Sequence, residues 1–141
     1  MSEHRYVVIV GCGRLGSHLA NSVSHEGHSV VVVDRKESAF GRLTPEFSGF
    51  RVKGDATELG VLRQAAVEKA DVVIATTNSD NINLMVAQFA RVEFGAERVL
   101  ARVLEPRRRD IYRTLGVETI SPTSVAAKLF IRHLGIEEGA R

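Results

Sequence analysis

Residues 6–34 read YVVIVGCGRLGSHLANSVSHEGHSVVVVD, and this stretch decides the fold. The apolar, β-branched run at 6–10 predicts a buried parallel strand. Three glycines follow at once in G-x-G-x-x-G spacing, a helical pattern then ends at Gly27, and a second strand at 29–33 ends on Asp34. Strand, glycine turn, helix, strand and terminal acid in this order indicate a nucleotide-binding unit.

Each part of this stretch has a physical role. Gly11 permits the tight turn, Gly13 lets a pyrophosphate approach the backbone, and Gly16 lets the helix pack close to the strand. The helix N-terminus offers free N–H groups and a positive dipole end to phosphates. Asp34 follows Gly16 by 18 residues, where a carboxylate can accept hydrogen bonds from both ribose hydroxyls. The alternative, a glycine-rich turn in another α/β fold, does not explain the full order of elements.

Composition narrows the class of protein. The chain has 141 residues, of which 44% are hydrophobic and 26% charged, as in one globular domain. No segment approaches the ~20 apolar residues that cross a bilayer, and the start MSEHR lacks the apolar core of a signal peptide, so we expect a cytoplasmic protein. A net charge of +2 gives no argument for nucleic acid binding.

The single cysteine, Cys12, excludes an internal disulfide. We interpret it as a small residue that fills the glycine turn rather than as a reactive thiol.

The rest of the chain alternates strands and helices with short connections. We therefore expect an α/β Rossmann-type fold, a doubly wound parallel sheet of about six strands in the order 3-2-1-4-5-6, with helices on both faces and a crevice at the carboxyl ends of the strands. We expect the nucleotide fold to take up the whole of 1–141 as a single domain, with no second domain for a substrate within these residues. Further strands are predicted at 50–53, 71–75, 99–103 and 117–120, and helices at 37–43, from Thr57 as N-cap through Val67, from Asn78 or Ser79 to 94 with Met85 on its buried face, at 106–115, and from Ser121 or Thr123 to 134.

Polar residues follow the predicted strands at the crevice. Asp55 and Ala56 come after the third strand, where they are placed to border an adenine ring and ribose. Thr76, Thr77 and Asn78 follow the fourth strand and can donate hydrogen bonds to phosphate or ribose; helix capping is an equally good interpretation for Asn78. Arg102, near the end of the fifth strand, is a candidate cation for the same crevice.

Arg14 is the least ordinary residue of the glycine turn. It lies at the start of the helix, where a cation gains nothing from the helix dipole. A phosphate contact, within the subunit or across a dimer, explains this placement better than solvent exposure alone.

Catalytic groups are missing from the pattern. A Tyr-x-x-x-Lys pair is absent, since Val10 follows Tyr6 and Gly116 follows Tyr112 at that spacing. The five histidines are scattered and none is predicted at the end of a crevice strand. The sequence shows neither a nucleophile elbow nor a metal-ligand cluster. We expect no catalytic residue, no metal site and no enzyme activity; an NAD-dependent oxidoreductase, or a fragment of one, is the alternative.

Several motifs together carry a family resemblance. GCGRLG with Asp34, GDAT at 54–57, ATTNSDNINLM at 75–85, LAR at 100–102 and LGVETISP at 115–122 resemble the N-terminal regulatory domain of potassium transport and channel proteins, called TrkA-N, KTN or RCK. The resemblance runs from about residue 5 to 134. The residues expected to bind the nucleotide are Gly11, Cys12, Gly13, Arg14, Leu15, Gly16, Asp34, Arg35, Gly54, Asp55, Ala56, Thr76, Thr77, Asn78, Asn81 and Arg102.

The resemblance implies a cytoplasmic regulatory subunit that binds NAD(H), ATP, ADP or AMP and gates potassium transport through a membrane channel or transporter. Such a subunit is peripheral to the inner face of the cell membrane through its partner, without inserting into the membrane or binding nucleic acid. The resemblance further implies homodimers that can assemble into an octameric ring. Helix 123–134 would be the dimer-contact helix.

Two departures from the family pattern bear on these expectations. Many relatives carry a second subdomain after the dimer-contact helix, so the chain is either a standalone nucleotide domain or a fragment. Some relatives have a glutamate in the loop after the sixth strand, where Thr123 follows Pro122 here, so we do not expect a bridging divalent ion. Asp34 disfavours the 2′-phosphate of NADP, although the neighbouring Arg35 weakens that argument; NAD, ATP and AMP stay open.

Overall fold

Six parallel strands form one sheet in the order β3-β2-β1-β4-β5-β6. The structure, a computed structural model, describes residues 3–137. The strands are β1 Tyr6–Val10, β2 Ser29–Asp34, β3 Phe50–Lys53, β4 Val72–Ala75, β5 Arg98–Arg102 and β6 Glu118–Ile120. The predicted fold class and strand order are confirmed, because buried parallel strands are continuous apolar runs that the sequence displays directly.

Helices connect successive strands. The α-helices of the described residues are α1 Arg14–His25, α2 Leu59–Gln64, α3 Asp80–Gln88, α4 Arg109–Thr114 and α5 Pro122–His133. Short 3₁₀ helices lie at Glu37–Arg42, Val67–Lys69 and Pro106–Arg108, and a π-helical turn, Phe89–Glu93, extends α3. Two helices start at serine caps: the Ser79 hydroxyl accepts from the Ile82 N–H and the Ser121 hydroxyl from the Ser124 N–H, which satisfies N–H groups that the helix itself leaves free.

The core lies on both faces of the sheet. Alternate residues of each strand point to opposite faces, so Val8 and Val10 pack with α2, α3 and α4, whereas Val7 and Ile9 pack with α1 and the 3₁₀ helix at Glu37–Arg42. Both faces are therefore covered, as an all-parallel sheet requires.

The structure differs from several local predictions. Thr57 is not an N-cap, since α2 begins after Glu58 and Thr57 donates instead to Asp55. Residues 37–42 form a 3₁₀ helix rather than an α-helix, and the predicted helix at 106–115 begins with a 3₁₀ turn. Met85 is 40% exposed rather than buried, because Asn83 on the same helix turns into the protein.

Helix α5 has no residue buried within the chain. Phe130 on α5 and Leu134 at its C-cap are 73% and 70% exposed. The last helix thus exposes an apolar face that has no partner within the described part of the chain.

The contact between α1 and the glycine turn gives a stability prediction. A Cβ atom on Gly16 would lie 1.8 Å from the Gly11 carbonyl oxygen, so Gly16→Ala is expected to lower the free energy of unfolding by about 3 kcal/mol. Gly60 lies in α2 with open space around its Cβ position. Gly60→Ala should therefore raise the free energy of unfolding by about 0.5–1 kcal/mol. Urea denaturation measures both values; equal unfolding midpoints for the two variants would contradict the close packing.

Candidate functional site

A cavity of about 590 Å³ opens at the carboxyl ends of β1, β2, β3 and β4. This volume is in the range of small-molecule sites, and the position is the crevice where open α/β sheets bind ligands. The cavity is lined by Val10, Gly11, Cys12, Gly13, Val33, Asp34, Arg35, Lys36, Ser38, Ala39, Arg42, Gly54, Asp55, Ala56, Thr57, Thr76, Thr77, Asn78, Ser79 and Ile82.

The glycine turn forms the floor of the cavity. Gly11 has a φ of +103°, which L side chains rarely adopt, and its N–H donates to the Val33 carbonyl at 2.7 Å. The buried Thr76 hydroxyl lies 3.1 Å from the carbonyl oxygens of Val10 and of Gly11 and donates to them. The turn is thus tied to β2 on one side and to the end of β4 on the other.

The N-terminus of α1 is open to a ligand. Its N-cap, Gly13, provides no side-chain cap, and the first turn contains no acidic residue. A Cβ at Gly13 would have no atom within 4 Å, so the backbone there borders open space. Free N–H groups and the positive end of the helix dipole therefore adjoin the cavity, an arrangement that favours an anion.

Asp34 is held at the cavity wall by two backbone groups. Its Oδ2 accepts from the Cys12 N–H and its Oδ1 from the Lys36 N–H, each at 2.8 Å. A carboxylate offers about four lone-pair sites, so both oxygens retain capacity to accept from ligand hydroxyls. The geometry suits a ribose next to the glycine turn.

Cys12 fills the turn and is fully buried. Burial, followed by the nearby Asp34 charge, raises the pKa of the Cys12 thiol, which keeps it in the unreactive protonated form. This environment agrees with the interpretation of Cys12 as a filler.

The loop after β3 adds a second carboxylate. Asp55 Oδ1 accepts from the Thr57 hydroxyl at 2.7 Å and the Thr57 N–H at 2.9 Å. These hydrogen bonds, the hydroxyl's first, hold the pKa of Asp55 below its ordinary value, because they favour the charged form. Asp55 is consequently an ionised acceptor at neutral pH.

Cations line the cavity near Asp34. Arg35, Lys36 and Arg42 all contribute to the wall, and within residues 3–137 none of them forms an ion pair. Sequence reasoning included Arg35 but missed Lys36, Arg42 and Ser38. The short helix predicted immediately after β2 could have revealed these three residues, because it keeps its residues at the same edge of the sheet as Asp34.

The structure brings together most of the predicted site. The members that line the cavity are Gly11, Cys12, Gly13, Asp34, Arg35, Gly54, Asp55, Ala56, Thr76, Thr77 and Asn78, and those that do not are Arg14, Leu15, Gly16, Asn81 and Arg102. Arg14 is exposed beside the turn. The Asn81 side chain accepts from Arg108, and the Arg102 guanidinium donates to the Thr77 carbonyl behind the cavity wall. A ligand contact by any of these residues stays a prediction.

Within residues 3–137, the cavity contains neither a histidine nor a cluster of metal ligands. All five histidines lie among the described residues, and none lines the cavity. Over residues 3–137 no group of three or more His, Cys, Asp or Glu side chains is placed to hold a metal ion. In the same part of the chain, no helix has the length and apolar character needed to span a membrane.

Similarity to known proteins identifies the family of this chain. The model of the TrkA-N domain family matches residues 7–122. The chain belongs to the TrkA-N domain family. The Trk system potassium uptake protein TrkA of Streptomyces coelicolor is 40% identical over 129 residues, which are 92% of this chain and 58% of that protein. The chain thus spans a little over half the length of that relative.

Solved structures share the TrkA-N fold. The GsuK channel bound to NAD is 28% identical, with a TM-score of 0.77 over 92% of this chain and 23% of that chain, and GsuK has also been solved bound to ADP. The TrkA-N domain of the Escherichia coli inner membrane protein ybaL has a TM-score of 0.82 over 95% of this chain and 99% of that chain. At 19% identity, the second likeness shows the fold alone.

The Asp34 contacts predict a structural cost for its removal. Asp34→Ala leaves the Cys12 and Lys36 N–H groups without their acceptor, so we expect the free energy of unfolding to fall by about 1–3 kcal/mol. The control is Asp110→Ala, which removes an exposed ion pair at 3.9 Å and an acidic residue from the first turn of α4. It should lower the free energy of unfolding by less than about 1 kcal/mol. Chemical denaturation compares the two; equal losses would refute the bracing role of Asp34.

Proposed function

We propose that this TrkA-N domain binds NAD(H) or an adenine nucleotide in the cavity and serves as a regulatory part of a potassium transport system. One observation carries the binding proposal: the uncapped N-terminus of α1 and the braced carboxylate of Asp34 lie on the wall of the same cavity. The first suits a phosphate and the second a ribose.

Several ligand groups have matching partners in the cavity wall. Arg35, Lys36 and Arg42 add positive charge next to Asp34, which favours an anionic ligand over a neutral one. Asp55 and Ala56 border the side where an adenine ring and ribose would lie. Arg14, exposed at the start of α1, is proposed as a phosphate contact within the subunit or across a dimer.

The relatives support the choice of ligand and process. The name of the Streptomyces coelicolor protein places it in a potassium uptake system, and the GsuK channel has been solved with NAD and with ADP. We carry both properties to this chain as a proposal. In that role the domain would act on the cytoplasmic side of a membrane channel or transporter.

Two titratable groups of the cavity have shifted pKa values. A general acid or base works best with a pKa near the operating pH. The pKa of Cys12 is raised and that of Asp55 is lowered, so each moves away from neutrality. Neither shift therefore prepares these two groups for acid–base catalysis at neutral pH.

We also propose that α5 joins two copies of the chain. Val125, Leu129, Phe130 and Leu134 are between 46% and 73% exposed. The i, i+4 pairs Val125–Leu129 and Phe130–Leu134 together form a wide apolar stripe over about half of the helix circumference. A C₂ dimer would bury the same stripe from both copies. Assembly of such dimers into a ring, as the family resemblance implies, is a further part of the proposal.

The proposed mechanism is a shift between two arrangements of the dimer. A nucleotide that binds one arrangement more tightly than the other raises the population of the first. The difference in binding free energy between the two arrangements then shifts the attached pore between its states. By linkage, the state of the pore changes the affinity of the domain for the nucleotide.

Nucleotide binding predicts thermal stabilisation. A ligand at a hundred times its Kd adds about 2.7 kcal/mol to the free energy of unfolding, or about 8 °C in Tm for a chain of this size. Gly13→Ala should abolish most of this rise without changing the Tm of the free protein, because its Cβ meets no protein atom but fills space next to the backbone. Gly41→Ala, which also meets no atom within 4 Å, is the control and should retain the rise.

Differential scanning fluorimetry with NADH, ATP, ADP and AMP provides the measurement. The binding proposal fails if none of these ligands raises the Tm of the wild-type protein.

The α5 interface predicts a change in mass. Phe130→Asp puts a charge into the proposed apolar contact and should convert a dimer into monomers. Val92→Asp is the matched control, since Val92 is 74% exposed but lies on the π-helical turn after α3. Sedimentation equilibrium gives the mass of each variant. A wild-type monomer, or dissociation by both substitutions, would argue against α5 as the contact.

A further inference from the structure

The loop at 76–79 between β4 and α3 forms one wall of the cavity, and two residues hold it from behind. Asn83, on α3, is fully buried. Its Oδ1 accepts from the Thr77 N–H at 2.8 Å and the Thr77 hydroxyl at 2.6 Å. Its Nδ2 donates to the Thr77 carbonyl at 3.1 Å and the Arg102 carbonyl at 3.0 Å. One amide side chain therefore binds both backbone groups of Thr77 and ties them to the end of β5.

Arg102 holds the same loop from the neighbouring strand. Its Nη2 donates to the Thr77 carbonyl at 2.6 Å and to Asn78 Oδ1 at 3.1 Å. The side chain does not line the cavity, and its Nε is buried without a hydrogen-bond partner. The guanidinium is thus directed at the back of the loop rather than at the ligand space.

The region behind the loop is braced in turn by Asp80. Its carboxylate accepts from the Leu104 N–H at 2.6 Å and the Glu105 N–H at 3.0 Å, and its backbone carbonyl accepts from the Tyr112 hydroxyl. The start of α3 and the segment after β5 consequently form one hydrogen-bonded unit behind the cavity wall.

We propose that Asn83 and Arg102 are positioning residues for ligand binding, a pair that we call the Thr77 clamp. The clamp fixes Thr77 and Asn78 in the conformation that meets the nucleotide, and Arg102 acts through these two residues instead of contacting a phosphate. A buried amide whose hydrogen bonds are all made specifies one local conformation. The inference rests on the proposed nucleotide function, but its effect on the loop exists without ligand.

A positioning role and a direct phosphate contact give different affinity patterns. If Arg102 touched a phosphate, its removal would cost more for ATP than for AMP, and binding would become less sensitive to salt. If it acts through the loop, AMP, ADP and ATP should lose affinity by the same factor, with unchanged salt dependence. The two members of the clamp should also be non-additive, since both act on Thr77.

Isothermal titration calorimetry of the three nucleotides, at two salt concentrations, tests these patterns in Asn83→Ala, Arg102→Met and the double variant. We expect each single substitution to raise Kd about tenfold for every nucleotide, the loss of roughly one net hydrogen bond, and the double variant to resemble the weaker-binding single one. The control is Ser24→Ala, at a buried serine that pairs with Ser48 in a different part of the fold. It should lower Tm while changing Kd less than twofold.

Hydrogen exchange of the ligand-free proteins tests the clamp separately. The Thr77 amide should exchange faster in Asn83→Ala and in Arg102→Met than in the wild type, and at the wild-type rate in Ser24→Ala. Arg102→Met leaves the buried amide of Asn83 in place and decides the question if Asn83→Ala does not fold.

The outcomes that overturn the inference are specific. Affinity losses in Arg102→Met that grow from AMP to ATP would make Arg102 a phosphate contact, and multiplicative losses in the double variant would dismiss a shared clamp. Unchanged Kd values in Asn83→Ala, or unchanged exchange at Thr77 in both single variants, would overturn the inference. If the wild type binds no nucleotide, the proposed function fails and the exchange rates alone decide whether the clamp exists.

Discussion

The close approach of α1 to the glycine turn is the constraint on which the rest of the structure depends. The space that a Cβ on Gly16 would need is occupied by the Gly11 carbonyl oxygen. The buried Thr76 hydroxyl donates to that same carbonyl oxygen, so helix, turn and β4 share one contact point. Because of this contact, the N-terminus of α1 adjoins the carboxyl ends of the strands, where its free N–H groups border the cavity. The fold and the site therefore have a common physical cause.

Sequence reasoning predicted the fold well because parallel strands buried on both faces are visible as apolar runs, such as 6–10 and 71–75. It also found the residues directly after the strands, since their position follows from topology alone. It missed Lys36 and Arg42, which are the N-cap and the last residue of a 3₁₀ helix whose geometry the pattern does not specify. It could not foresee Asn83, because burial of a polar residue on α3 depends on Thr77 and on the Arg102 carbonyl, which is supplied by another strand.

The same limit explains the different outcomes for neighbouring polar residues. Thr57 is predicted to cap a helix, but the helix begins after Glu58, and the N–H and hydroxyl of Thr57 both donate to Asp55. Arg102 reads as a cation for the crevice, yet the Thr77 carbonyl lies within its reach on the other side of the wall. The local sequence pattern identifies which polar residues lie at the edge of the sheet. Only the packed structure shows which of them line the cavity and which contact the residues that do.

The arrangement fits a sensor in which ligand and partner act on one edge of the sheet. All six strands are parallel, so α5, which follows β6, starts at the same edge as the cavity. The most direct test of the account is a crystal structure of the protein soaked with NADH. We predict density in the cavity, with the adenosine ribose within hydrogen-bond distance of Asp34 and the pyrophosphate against the backbone at Gly13. An empty cavity at saturating NADH and, in separate crystals, at saturating ATP, ADP and AMP would contradict the account, and so would a ligand bound elsewhere with Asp34 free.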